Sequence, residues 1–101
     1  MIKGLHHVAI CTRDIDRLIA FYRDRLGFSV VFQRNNPTRP DPGADAMMGL
    51  QGASYRVAML KASNVSLELF EFAAPPGKAG DPQRPVCDAG ITHICLSVSD
   101  I

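Results

Sequence analysis

The sequence predicts an α+β fold consisting of one βαβββ module followed by the first strand of a second module. A strand, an amphipathic helix and three more strands follow one another in residues 1–72, and part of the first strand recurs near residue 93. Four of the seven prolines lie in residues 73–90, between the last strand of the module and the second copy. We therefore divide the chain into a first βαβββ module at 1–72, an inter-module linker at 73–90 and the first strand of an incomplete second module at 91–101.

The first strand and the helix after it have the clearest local patterns. Residues 5–12, LHHVAICT, are β-branched and apolar, as in a strand. Asp14 suits a helix N-cap and Gly27 suits the position just after a helix, so we predict a helix over 14–26. Its buried stripe recurs at helical spacing and consists of Ile15, Leu18, Ile19, Tyr22 and Leu26. The charged residues around it, including Arg13 and Asp16, are expected to form a solvated face.

Three more segments have strand composition. They are residues 28–34, 54–61 and 64–72, and the last two form a hairpin with a short turn near 62–64. The segment 35–53 is rich in Asn, Pro, Gly and Asp, and it is expected to be a long loop that covers a site.

An internal repeat connects the two ends of the chain. Residues 7–15 match residues 93–101 with His, Asp and Ile at the same spacing, at an offset of 86 positions. Both copies have strand character, 91–98 in the second, and both end at an aspartate placed to cap a helix. We interpret this as a repeat of one supersecondary unit and expect the chain to be part of a longer protein.

Strand alternation is expected to bring three ionisable side chains to one face of the sheet. Val8 and Ile10 can pack under the helix, which turns His7 to the opposite face; the same alternation turns Glu68 and His93 away from the helix. A single histidine beside apolar residues is usually a hydrogen-bonded core residue. Two repeat-related histidines with a glutamate on one face instead favour a metal site, for which Zn²⁺, Ni²⁺, Fe²⁺, Co²⁺ or Mn²⁺ is suitable.

Two neighbouring residues are weaker candidates for this site. His6 has the opposite parity from His7, which predicts a place near the helix side or at a strand end. Glu71 has helix-side parity, so Glu68 is the preferred carboxylate.

Three motifs resemble those of the vicinal oxygen chelate superfamily, which includes glyoxalase I, bleomycin resistance proteins and extradiol dioxygenases. They are LHHVAICTRDIDRLIAFYRDRLGF, VSLELFEF and GITHICLSVSDI, in that order. The resemblance implies a glyoxalase-like fold in which two βαβββ modules form a half-open barrel with four metal ligands. His7, Glu68 and His93 match the first three ligands, and the fourth, usually a Glu, would lie beyond residue 101. Glu68 is more similar to glyoxalase-like members than to epimerases, which often have Gln there.

The resemblance also implies a function. Glyoxalase-like lyases and isomerases, such as lactoylglutathione lyase, chelate two vicinal oxygens of a small substrate and stabilise an enediolate. Glu68 would be the catalytic carboxylate that shuttles the proton. One alternative is an Fe²⁺ ring-cleaving dioxygenase of the extradiol type, because two histidines and a carboxylate can form a facial triad. The other alternative is a metal-free drug-binding resistance protein. The residues do not identify the substrate.

Composition restricts the partners and the compartment. The net charge of +1 argues against nucleic acid or an anionic membrane, and no apolar run approaches the roughly 18 residues of a membrane span. Cys11, Cys87 and Cys95 form no CxxC pair, which favours free thiols in the cytoplasm. Cys11 and Cys95 are expected to line the pocket. Phe70 and Phe72 on the uncovered sheet face favour a homodimer.

Overall fold

The computed structural model describes residues 1–100. Its elements are β1 (Val8–Cys11), α1 (Ile15–Ala20), a π-helical segment (Phe21–Arg25), β2 (Ser29–Arg34), α2 (Pro42–Met48), β3 (Ser54–Ala62) and β4 (Val65–Ala74). The four strands form one mixed sheet in the order β1-β4-β3-β2, in which β1 is parallel to β4 and the other neighbours are antiparallel. The predicted α+β class is confirmed, and the four strands and α1 follow the predicted order, with α2 added between β2 and β3.

The predicted helix changes its hydrogen bonding midway. Asp14 is the N-cap, since its side chain accepts a hydrogen bond from the Arg17 N–H at 3.0 Å. The chain continues from α1 into the π-helical segment Phe21–Arg25, a geometry that usually occurs in single turns. Gly27, just after it, has a φ of 73°, which a glycine adopts without strain.

The core lies between α1 and one face of the sheet. α1 packs against β3 and β4, and the residues that are buried there are apolar: Ile15, Ile19, Phe28, Ala58, Leu60, Leu67 and Leu69. The opposite side of the sheet, which we call the open face, carries the alternate residues of each strand. On β1 and β4 these include Ala9, Cys11, Glu68, Phe70 and Phe72.

The segment 35–53 contains a helix that was predicted as loop. α2 has an Asp41 N-cap, whose carboxylate accepts hydrogen bonds from the N–H groups of Gly43 and Ala44, and a Pro in its first turn. It ends at Gly49, which has a left-handed φ of 67°. With seven residues and no buried side chain, α2 has no apolar stripe, so hydrophobic periodicity could not reveal it.

The strand predicted at 91–98 does not form in this structure. Residues 91–98 make no ladder hydrogen bonds with the sheet, and Leu96 is the residue of this segment that packs against the core. A strand requires a partner edge, and alternation alone cannot supply one. The assignment of 91–101 to a second module stays a prediction, and Ile101 lies outside the described residues. Within residues 1–100, no helix has the length and apolar character that crossing a bilayer requires.

Candidate functional site

His7 and Glu68 meet at the open face. The parallel pairing of β1 with β4 sets Ala9 opposite Glu68, and His7 lies just before β1. The His7 Nε2 atom is 3.1 Å from the Glu68 Oε2 atom. The prediction from strand alternation that these two side chains lie on the same sheet face is therefore confirmed, although they are far apart in the sequence.

The pair is accessible to a ligand. The His7 side chain is 35% exposed and that of Glu68 is 24% exposed. Ala9, which lies opposite Glu68 on β1, projects only a methyl group beside the pair. Behind the pair, the His6 Nδ1 atom lies 2.7 Å from the His7 Nδ1 atom, with the two rings edge to face. This places His6 at the strand end, one of the two positions predicted for it.

The structure does not bring His93 to the pair. His93 is exposed, and its Nδ1 atom lies 2.9 Å from the Thr92 hydroxyl oxygen. Among residues 1–100, no three His, Cys, Asp or Glu side chains form a group that could hold a metal ion. The imidazole and carboxylate of His7 and Glu68 fit two positions of a divalent-metal site. His93, the third predicted ligand, does not lie near the pair because residues 91–98 pair with no strand.

Glu71 has a different environment, on the helix side of the sheet. Its Oε2 atom accepts a hydrogen bond from the Ile15 N–H at 2.8 Å, so it satisfies one of the free N–H groups at the start of α1. Its Oε1 atom is 3.6 Å from Arg56. Of the two β4 glutamates, Glu68 is therefore the one available to a ligand.

Arg56 links β3 to α1. Its guanidinium donates two hydrogen bonds to the Asp16 carboxylate, at 2.7 and 3.0 Å. These hydrogen bonds lower the pKa of Asp16 and raise that of Arg56. The Asp16 side chain is 66% exposed, as expected for a solvated helix face, but it also has an ion-pair partner. Its partner lies 40 positions away, and no local pattern could identify it.

A cleft of about 770 Å³ adjoins the open face where β1 and β4 end. Its walls come from the end of β1, from β4 and from the linker, which folds back over them; they include Cys11, Thr12, Arg13, Phe72, Gly77 and Lys78. The Arg13 Nη2 atom donates a hydrogen bond to the Gly77 carbonyl at 2.6 Å. Cys11 lines this cleft, but Cys95, which was expected to line the same pocket, does not. Arg13 turns to the linker. Because Arg13 bonds to a backbone carbonyl, no side-chain signal in the sequence marked this contact.

Sequence comparison finds relatives that match over nearly the whole chain. The uncharacterized protein YwkD of Bacillus subtilis (strain 168) is 27% identical over 101 residues, which are 100% of this chain and 66% of that protein. A 2-epi-5-epi-valiolone epimerase from an Actinomyces species is 30% identical over 99 residues, which are 97% of this chain and 53% of the epimerase. The chain thus spans between half and two thirds of the length of these relatives.

Structural comparison agrees on the fold. A glyoxalase family protein from Bacillus cereus, known from its crystal structure, superposes with a TM-score of 0.77 at 22% identity, covering 90% of this chain and 60% of that one. The model of the Glyoxalase/Bleomycin resistance protein/Dioxygenase superfamily matches residues 4–101. With its βαβββ order and its match along nearly its whole length, the chain belongs to this superfamily.

Proposed function

We propose that the protein is a metal-dependent lyase or isomerase that acts on a small substrate with two neighbouring oxygens. The observation that carries the proposal is the pair His7 and Glu68, 3.1 Å apart on an accessible sheet face. Further support comes from the 30% identical relative, which bears the name of an epimerase, a type of isomerase.

His7 and Glu68 would hold a divalent ion, Zn²⁺, Ni²⁺, Fe²⁺, Co²⁺ or Mn²⁺. His93 would be a further ligand, supplied by a rearranged 91–98 segment or by a partner chain. When bound, the ion supplies a Lewis acid for the two substrate oxygens. Glu68 would take up and return the proton of the substrate carbon, and its exposure gives a substrate direct access to the carboxylate.

A metal-free binding protein is the second candidate. In residues 1–100 the pair lacks a third ligand, whereas aromatic rings beside it offer apolar surface. Tyr55, Phe70 and Phe72 form one cluster, with ring centroids 5.4 to 5.8 Å apart. Under this reading the open face would bind an apolar compound without turnover.

Metal titration distinguishes these two functions. We expect Co²⁺ or Zn²⁺ to bind the natural full-length protein, measured by calorimetry and by the absorption spectrum of bound Co²⁺. His7→Ala and Glu68→Gln should weaken binding by more than the 10–100-fold typical of losing an outer-shell partner. Asp24→Asn, which changes an exposed carboxylate on the helix, is the control. The proposal is wrong if the protein binds no divalent ion, or if His7→Ala changes neither metal binding nor turnover.

We also propose that the chain forms a homodimer in the cytoplasm. The open face carries aromatic side chains, and the outer edge of β1 pairs with no strand in residues 1–100. The three cysteines form no disulfide, an arrangement compatible with a reducing compartment.

A further inference from the structure

We propose that the cleft at the ends of β1 and β4 binds the anionic group, a carboxylate or a phosphate, of an organic ligand. We call it the Arg13–Lys78 cleft. The ligand would be the substrate, with its vicinal oxygens at His7 and Glu68, and in this respect the inference rests on the proposed function.

The hydrogen bond between Arg13 and Gly77 holds the Arg13 side chain against the linker, where Lys78 also lines the cleft. Arg13 donates to the Gly77 carbonyl at 2.6 Å, which fixes the guanidinium against the linker. Its other N–H groups make no hydrogen bond within the part of the chain that the structure describes. Lys78, the residue after Gly77, also lines the cleft and has no ion pair among residues 1–100. The contact therefore leaves two cations free to bind a ligand.

The carboxylate in the cleft wall does not neutralise these cations. Glu71 lines the cleft, but its two oxygens are directed at the Ile15 N–H and at Arg56. Arg13 and Lys78 are therefore charged groups of the cleft wall that have no carboxylate partner among residues 1–100, and both would attract an anion in the cleft. A guanidinium with free N–H groups matches the paired oxygens of a carboxylate or a phosphate.

Part of the cleft wall lies on the same sheet face as the His7–Glu68 pair. Cys11 and Phe72 line the cleft and also belong to the open face. Each lies four residues beyond its counterpart at the pair, a distance of about 13 Å at roughly 3.3 Å per residue. Phe70 lies between the two ends and stacks on Phe72, with ring centroids 5.8 Å apart. The geometry therefore fits an elongated organic anion with an apolar middle.

Ligand binding to the natural full-length protein in the presence of EDTA tests the cleft separately from the metal. The probes are 3-phenylpropionate and its neutral analogue 3-phenylpropanol, followed by calorimetry or NMR shifts. We expect the carboxylate to bind at least about tenfold more tightly than the alcohol, and added salt to weaken it. Phenyl phosphate, compared with phenylpropionate, shows which anion the cleft prefers.

Variants locate the binding. Lys78→Gln and Arg13→Gln should each weaken phenylpropionate binding by about tenfold, whereas Arg25→Gln, a matched change on the π-helical segment, should not. Both cleft residues are exposed, and circular dichroism checks that the variants fold. Equal binding of acid and alcohol, or undiminished binding to both cleft variants, would overturn the proposal. If the wild-type protein binds the probe but no metal, the proposed function fails and the anion site remains.

Discussion

Arg56 is the residue that joins the charged groups of three elements. Its guanidinium contacts Asp16 of α1 through two hydrogen bonds and lies 3.6 Å from Glu71 of β4. Its side chain is only 17% exposed, and its Nε atom is buried without a hydrogen-bond partner. A partly buried arginine of this kind depends on its carboxylate partners, because a buried charge without a partner is costly.

The pairing with Arg56 makes the contribution of Asp16 to stability depend on pH. The hydrogen bond to Arg56 lowers the folded-state pKa of Asp16 below its ordinary value of 3.8. The stabilisation is therefore complete above this ordinary value, and it is lost as the pH falls through the lower pKa of the folded state. As the pH drops below about 4, we expect the free energy of unfolding to fall less in Asp16→Asn than in the wild-type protein.

Urea unfolding at several pH values measures this effect. Asp81→Asn, an equivalent change in the linker, is the control and should follow the wild-type protein. If Asp16→Asn also follows the wild-type curve over the whole acid range, the pair does not contribute to folding stability.

The site residues differ in how far the sequence could predict them. His7 and Glu68 follow from alternation in two strands, because a period of two fixes the face of every side chain. Asp16 could not be assigned in this way, since charged residues on a helix are usually solvated. Its partner on β3 becomes its neighbour only through the packing of α1 on the sheet.

At the scale of elements, the start of α1 is capped from two directions. Asp14 accepts a hydrogen bond from the Arg17 N–H, and Glu71 of β4 accepts one from the Ile15 N–H. The first cap is local, whereas the second fastens the helix to the sheet. Both satisfy donors that have no partner within the helix.

These two caps should contribute different amounts to the free energy of unfolding. We expect Asp14→Ala to lower the free energy of unfolding by about 1 kcal/mol, as for an exposed N-cap. Glu71→Ala should lower it by about 2–3 kcal/mol, because it leaves the N–H of the buried Ile15 without a partner. Chemical denaturation of both variants under the same conditions measures which substitution lowers the free energy of unfolding more. A larger effect from Asp14→Ala would contradict this prediction.

Local signals also explain which elements the sequence could predict. α1 and the π-helical segment together have an N-cap, an apolar stripe and a glycine after their end, and these signals agree on one helical stretch. α2 has only its caps, Asp41 and Gly49, within a segment whose composition is typical of a loop. The segment 91–98 has strand composition, yet composition cannot show whether an edge is available to it.

At the scale of the whole molecule, the chain has one sheet face covered by α1 and an opposite face with aromatic side chains. Phe70 and Phe72 are only partly buried on that face. Burial stabilises by roughly 25 cal/mol per Å² of apolar area, and a small domain has only about 5–15 kcal/mol of net stability. The open face is therefore a candidate surface for a second copy of the chain.

We expect this 101-residue chain to be a homodimer in solution. Light scattering at micromolar concentration should give about twice the 11.0 kDa mass of one chain. Dilution should decrease the mass and the thermal stability together, because association and folding are then linked. A folded monomer whose stability does not change with concentration would exclude the dimer.

The parallel pairing of β1 with β4 has a consequence for the order of folding. It joins segments about sixty residues apart, so closing this loop has a large entropic cost, whereas β3 and β4 meet through a two-residue turn. Folding is slower when native contacts join distant segments, so we expect the His7–Glu68 pair to form late in folding. Any ion or substrate that bridges these two residues therefore selects molecules that have finished folding. Such a ligand should therefore raise the free energy of unfolding of the closed chain.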